Sequence, residues 1–325
     1  MSKEYTEGYM SAKTEQVIDE VRKVIHGKDN IIRMVLAAIL AKGHVLLEDI
    51  PGVGKTTMAM AFAKAMSMDY RRVQFTPDVM PGDISGFNMY DKVNGSFKYQ
   101  EGMAFTNLFL ADEINRTSPK TQSALLEVME EQKVTVEGVS RELPKPFFVI
   151  ATENPFGSSG TQKLPESQLD RFMVCLSIGY PDAENAALIL KGNSAKDIQT
   201  VIPVLTKEEL VALQEKVEEV YVDDALYDYI VEITESTRKP STYELGLSPR
   251  GSIALLRMAK AYAFLEGRSY LLPDDIKEIY LPVALHRVKL SQRAKAAGTD
   301  LGESLLSSLS SVVVPKISGQ ANAKR

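Results

Sequence analysis

The sequence predicts an α/β domain, a parallel sheet covered by helices, followed by a smaller all-α domain. Three observations carry that reading. Short apolar runs alternate with stretches of helical periodicity through the first half of the chain. The strand-like runs stop after Tyr180-Pro181, and clear helix-start patterns take over. The candidate strands are 44–48, 72–75, 108–111, 147–151 and 173–178. Beyond them, Thr206-Lys207-Glu208-Glu209 reads as a capping box. It opens a helix whose Leu210, Leu213, Val217 and Val220 recur at steps of three and four. Ser248-Pro249 is a second start, with Gly267 as its stop. The expected division is residues 1–185, with an N-terminal helix and two inserted hairpins, then residues 186–325 with a polar tail that frays after Val314-Pro315. The junction is expected between Pro181 and Pro203.

One hairpin is centred on Asn94-Gly95, whose flanks suit a type I′ turn. The other is centred on Gly138, flanked by Val134, Val136 and Val139. No internal repeat is present in the sequence.

Composition narrows the function classes. The 325 residues are 44% hydrophobic and 25% charged, which excludes a disordered or fibrous chain. The longest apolar run, 34–41, is well short of the roughly 20 residues of a membrane span. The first sixteen residues contain no apolar stretch of signal-peptide type, so a cytoplasmic location is expected. The single cysteine, Cys175, sits in an apolar run and reads as a small buried hydrophobe. Thirty-eight basic residues against 43 acidic give a net charge of −5, with no basic block, which disfavours nucleic acid as the partner. His26, His44 and His286 are far apart and lack neighbours at ligand spacing, which argues against a protein-bound transition metal.

The chemistry is concentrated at Asp49-Ile50-Pro51-Gly52-Val53-Gly54-Lys55-Thr56-Thr57. A phosphate chain needs inward backbone N–H groups, a helix N-terminus behind them and a cation at the terminal phosphates. Gly52 and Gly54 permit the curled backbone, Lys55 supplies the cation, and the Thr56 hydroxyl is suited to Mg²⁺. An apolar strand before and a helix after argue against an accidental match. Asp49 departs from the full pattern, which has glycine there. Leu108-Phe109-Leu110-Ala111-Asp112-Glu113 supplies the second half, with Asp112 placed for Mg²⁺ and Glu113 for the attacking water. An acidic cap on an ordinary strand is the plainer alternative, and the phosphate loop weighs against it.

Two polar residues break local rules. Asn154 follows a buried strand, although an Asn before Pro is ordinarily a turn former. Arg250 lies in the first turn of its helix, where the dipole disfavours a cation, so it answers either a surface carboxylate or an outside anion.

In this order, the phosphate loop, Asp112-Glu113, the strand with Asn154, Leu169-Asp170-Arg171-Phe172 and Ser248-Pro249-Arg250 resemble an AAA+ ATPase, most closely the bacterial MoxR group. Gln74-Phe75-Thr76-Pro77-Asp78, Ile114-Asn115-Arg116, Lys120–Glu127 and Leu164-Pro165-Glu166 extend the likeness from about Val24 to Val314. The resemblance implies a P-loop sheet domain with a helical lid, ATP or ADP as ligand, and Mg²⁺. By that likeness Lys55 and Thr56 are Walker A, Asp112 and Glu113 Walker B, Asn154 sensor 1, Arg250 sensor 2 and Arg171 the arginine finger. It also implies a homo-oligomeric ring, a hexamer, acting as a chaperone-like ATPase with a partner bearing a von Willebrand A domain.

Three alternatives are kept. One is a nucleic-acid motor on the same ring, for which Lys92, Lys98, Lys133 and Arg141 at the hairpins are few. Another is a magnesium-chelatase-like subunit, and the last a non-hydrolysing switch, against which Glu113, Asn154, Arg171 and Arg250 count. Phe87, Met89 and Tyr90 fit either a pore lining or a packed hairpin. Glu127, Glu130 and Glu131 read as the solvated face of the helix begun at Ser118-Pro119.

Overall fold

The structure is a computed structural model that describes residues 7–50, 52–154, 163–190 and 197–316. The chain opens with α1 (Glu7–Arg22) and α2 (Asp29–Leu40), then runs β1 (Val45–Glu48), α3 (Lys55–Ala65), β2 (Tyr70–Gln74) and a short α4 (Pro81–Ser85). A hairpin of β3 (Phe87–Asp91) and β4 (Ser96–Gln100) precedes β5 (Leu108–Asp112) and α5 (Pro119–Glu131). A second hairpin, β6 (Lys133–Val136) and β7 (Val139–Glu142), precedes β8 (Phe148–Glu153), α6 (Glu166–Leu169) and β9 (Val174–Leu176). Beyond α7 (Ala183–Leu190) come α8 (Lys207–Glu218), α9 (Asp224–Ser236), β10 (Tyr243–Leu245), α10 (Pro249–Leu265) and α11 (Pro273–Ala284). The chain closes with β11 (Lys289–Leu290), α12 (Gln292–Ala296) and α13 (Leu301–Ser310).

Five strands form one parallel sheet in the order β2-β5-β8-β1-β9. Every residue of β5 and β8 is buried, as strands covered on both faces must be. Alternation along β1 sends Val45 and Leu47 to a core shared with α2, α3 and the lid's Leu255 and Met258, while Leu46 joins Leu125 and Met129 of α5 on the other face. The lid packs back through α10 on α2, and Gln214 Nε2 donates to the Ile39 carbonyl at 2.8 Å. Because β1 lies between β8 and β9, the chain leaves it to the far edge and returns. That leaves a crevice beyond the carboxyl ends of the strands.

Several expectations shift in detail. The helix after the phosphate loop begins at Lys55, and the helical domain contains a small antiparallel ladder, Tyr243 opposite Leu290. The strand expected over 173–178 pairs only at Val174–Leu176, because the Asp49 carboxylate draws the chain off the ladder. It accepts from Ser177 Oγ at 3.1 Å and from the Gly179 N–H at 2.6 Å. The Asn94-Gly95 turn is not a two-residue type I′ turn. Asp91 pairs with Ser96 across a four-residue loop, and Gly95 is its only residue with positive φ, at 64°. Asp91 Oδ1 accepts from the Val93 and Asn94 N–H groups, so a local side-chain turn overrides the dipeptide preference. The Gly138 hairpin does turn on two residues, Glu137 (φ 50°) and Gly138 (φ 79°). The expected fraying tail, 317–325, lies outside the described residues, as does the Pro155 of the strand-plus-Asn motif.

Candidate active site

The phosphate loop joins β1 to α3 and lies at the carboxyl edge of the sheet. Gly52 and Gly54 have φ of 87° and 95°, a region that side-chain-bearing residues rarely adopt, so glycine is required at both. A Cβ on Gly52 would meet nothing within 4 Å, so this side of the loop faces open space. Among the described residues no side chain caps the start of α3, which leaves its first N–H groups open to an anion. Thr56 and Thr57 lie in that first turn; Ile50 and Val53 complete the described loop, and Pro51 lies outside the described residues.

Lys55 Nζ donates to the carbonyl of Asp49 at 2.7 Å and reaches that of Glu153 at 3.5 Å. Burial pulls its pKa below the ordinary lysine value, with Asp112, Asp49 and Glu113 opposing. Among the described residues it makes no ion pair, which leaves a buried cation suited to a phosphate. A cavity of about 290 Å³ opens against the loop, lined by Ile25, His26, Gly52, Gly54, Ile178 and Tyr180 among others. Asp49 explains its own departure from the glycine pattern. Its carboxylate ties the loop to Ser177 and Gly179, next to that cavity wall, and also accepts from the Ile50 N–H at 2.8 Å.

Asp112 ends β5, with Oδ1 accepting from Thr152 Oγ1 at 2.6 Å and Oδ2 paired with Arg72 at 2.6 Å. Glu113 follows with φ 57°, a left-handed conformation that costs a non-glycine residue energy and aims its side chain off the strand. Its N–H donates to Thr152 Oγ1 at 2.8 Å, and its carboxylate takes Arg116 at 2.6 Å. Thr152 therefore orients both acids. Sequence reasoning gave no role to it, to Arg72 or to Arg116; the available clue was a polar residue following the apolar run that opens β8. Asn154 leaves β8 at the same edge, its carbonyl accepting from Asn115 Nδ2 at 3.3 Å.

The structure thus gathers Lys55, Thr56, Asp112, Glu113 and Asn154, but neither Arg171 nor Arg250. Those two stand at the amino edge of the sheet, where Met173 N bonds the His44 carbonyl just before β9. Both reach Glu130: Arg171 Nη1 at 2.7 Å to Oε2, and Arg250 Nη2 to Oε1. Glu130 is therefore not merely part of a solvated helix face, as its spacing with Glu127 and Glu131 suggests. Beside it, buried Arg287 bonds Asp170 at 2.8 Å, and Asp170 accepts from Ser248 Oγ, the N-cap of α10, at 2.8 Å.

The remaining candidates are structural. Burial and the nearby Glu48 push the Cys175 thiol up, so it stays protonated. His44 accepts from the Val149 N–H at Nδ1 and donates from Nε2 to the Met129 carbonyl. Burial lowers its pKa to about 4, which keeps it neutral.

Comparison with known proteins identifies the family. The model of the ATPase family associated with various cellular activities matches residues 44–174, and the AAA lid domain model matches 235–306. YeaC of Bacillus subtilis (strain 168) is 47% identical over 92% of this chain and 94% of its own length. Chaperone MoxR1 of Mycobacterium tuberculosis is 39% identical over 87% of this chain and 77% of its own. A crystal structure from Cytophaga hutchinsonii, assigned as an ATPase, superposes with a TM-score of 0.88 at 37% identity, covering 95% of this chain and 97% of that one. The sheet with its phosphate loop, the helical lid and these relatives place the chain in the MoxR family of AAA+ ATPases.

Proposed function

We propose that this chain hydrolyses ATP at interfaces between copies of itself arranged head to tail, and spends the energy remodelling a partner protein in chaperone-like fashion. One observation carries the reading. Binding and base groups occupy the carboxyl edge of the sheet, and Arg171 and Arg250 occupy its amino edge. A copy that turns its amino edge to a neighbour's carboxyl edge completes the site, and closure of that repeat gives a ring, a hexamer by the family's habit.

Lys55 and the N–H groups of the loop bind the phosphates, and Thr56 with Asp112 would hold Mg²⁺, which when bound adds positive charge there. Glu113, released from Arg116, takes a proton from the attacking water, while Asn154 helps orient it. Arg171 and Arg250 of the adjacent copy stabilise charge spreading over the γ-phosphoryl oxygens.

The exposed hydrophobic residues on both faces and at the tip of the β3–β4 hairpin support a protein client over nucleic acid. Phe87, Met89, Tyr90, Val93 and Phe97 stand out, Val93 at 93% exposure, whereas its cations are Lys92 and Lys98. By family habit the adaptor is a protein with a von Willebrand A domain and the setting is cytoplasmic. Among the described residues no helix is long and apolar enough to cross a membrane.

A mixing experiment tests the shared site. Arg171→Ala and Lys55→Ala should each be nearly inactive alone. Together they should recover ATPase activity, because mixed assemblies contain interfaces with both halves intact. A mixture that exchanges subunits yet stays dead rejects the model.

A further inference from the structure

Arg171 and Arg250 come from different domains, yet their guanidiniums converge on the two oxygens of one carboxylate. Convergence needs a cause, because like charges repel. Glu130 supplies it from the last turn of α5, where the helix dipole disfavours an acid. The surroundings are cationic: Lys42, Arg257 and Arg287 line the same cavity of about 250 Å³, whose acidic lining residues are Glu130 and Asp170, while Lys42 pairs with Glu218 outside it at 2.6 Å. Asp170 is committed to Arg287 and to the α10 cap. Arg171 is held a second time by α5, since Nη1 also donates to the Leu126 carbonyl at 2.7 Å. The bond from Glu130 to Arg250 is what brings the lid's cation alongside.

We propose that Glu130 is a positioning residue, whose carboxylate draws the lid's Arg250 beside Arg171 so that both face a neighbouring copy's phosphates as one preassembled unit. The inference rests on the shared-site reading above. Without the carboxylate both arginines remain, but they separate, and transition-state charge meets them out of place. Binding at the chain's own phosphate loop, at the other edge of the sheet, is untouched.

The test uses the full chain with Glu130→Gln, which keeps size and removes charge. Its kcat for ATP should fall about 10–100-fold, the scale on which a displacement of about 1 Å weakens catalysis. KM and the calorimetric affinity for ADP should stay within about twofold of the parent, a split that loss of fold would not give, on the preorganisation argument. Glu130→Asp should restore part of the rate. Mixed with Lys55→Ala, Glu130→Gln should recover activity as Arg171→Ala does. A parental kcat in Glu130→Gln overturns the proposal, and so does a loss that mixing leaves unrescued while Arg171→Ala is rescued. If Arg171→Ala itself is not rescued, the shared-site reading falls and the positioning role with it.

Discussion

At the carboxyl edge of the sheet three charged groups of the candidate site are each met by a partner of their own: Asp112 by Arg72, Glu113 by Arg116, and Lys55 by a main-chain carbonyl. At the amino edge a single carboxylate serves two arginines, and buried Arg287 locks the neighbouring lid contact. On our reading the first arrangement would yield group by group as a ligand replaced each partner. The second is a unit, and disturbing one member moves the others. On our reading the two edges are complementary halves of one site, the first built to bind and the second built to be offered.

The largest effect should come from the binding half. Lys55→Ala removes the main cation facing the phosphates, and calorimetry should detect no ATP binding. Parental affinity in that variant would mean that the carboxyl edge is not the phosphate site. Glu113→Gln separates binding from chemistry within the same edge: ATP should bind as before, and steady-state turnover should fall about 10²–10⁴-fold. Unchanged turnover removes Glu113 from the mechanism.

Glu153 sharpens the contrast through pH. Burial, then the adjacent Glu48, pushes its carboxyl from the ordinary 4.5 up to about 7. The folded chain therefore holds a proton that the unfolded chain releases earlier. The associated stability is complete below pH 4.5 and is lost as pH rises through 7. Glu153→Gln should accordingly be more stable than the parent at pH 8, by about 2–3 kcal/mol, with the gap closing at pH 4 in denaturant titrations. An equal gap at both pH values would show that the carboxyl is not buried as charge.

The smallest expected effect is at the clasp. Asp49→Ala leaves the Gly179 N–H and the Ser177 hydroxyl without their acceptor, costing about 1–3 kcal/mol of stability. Thermal melting measures it, and a parental Tm would show that the contact adds nothing.

The binding half was legible because its residues are contiguous: the loop and Asp112-Glu113 declare themselves over a few positions. The offered half was legible only in part: Arg171 and Arg250 stand out, and the helix-start position of Arg250 calls for a carboxylate or an outside anion, but the residue that joins them does not stand out. Helix periodicity gives Glu130 a solvated face, and only the fold shows which distant cations come to it. Thr152 escaped for a related reason, since its two acids lie on the neighbouring strand. The turn at Asn94-Gly95 and the early end of β9 failed differently. In each, one carboxylate, Asp91 or Asp49, captured backbone N–H groups that local propensity assigns elsewhere. The buried strands β5 and β8 needed no such contacts, because their continuous apolar runs mark them.

The outermost strands carry a consequence for solubility. β2 presents Tyr70, Arg71 and Arg72 on the rim, with Arg71 anchored to the Gly102 carbonyl and Arg72 to Asp112. β9 pairs over three residues and is packed against α11. A rim that is charged on one side and short and covered on the other offers poor purchase for another strand, the usual route to fibrils. On our reading, copies of this chain would therefore meet through their side chains, in contacts that salt can loosen and that can form and part without the backbone ever zipping shut.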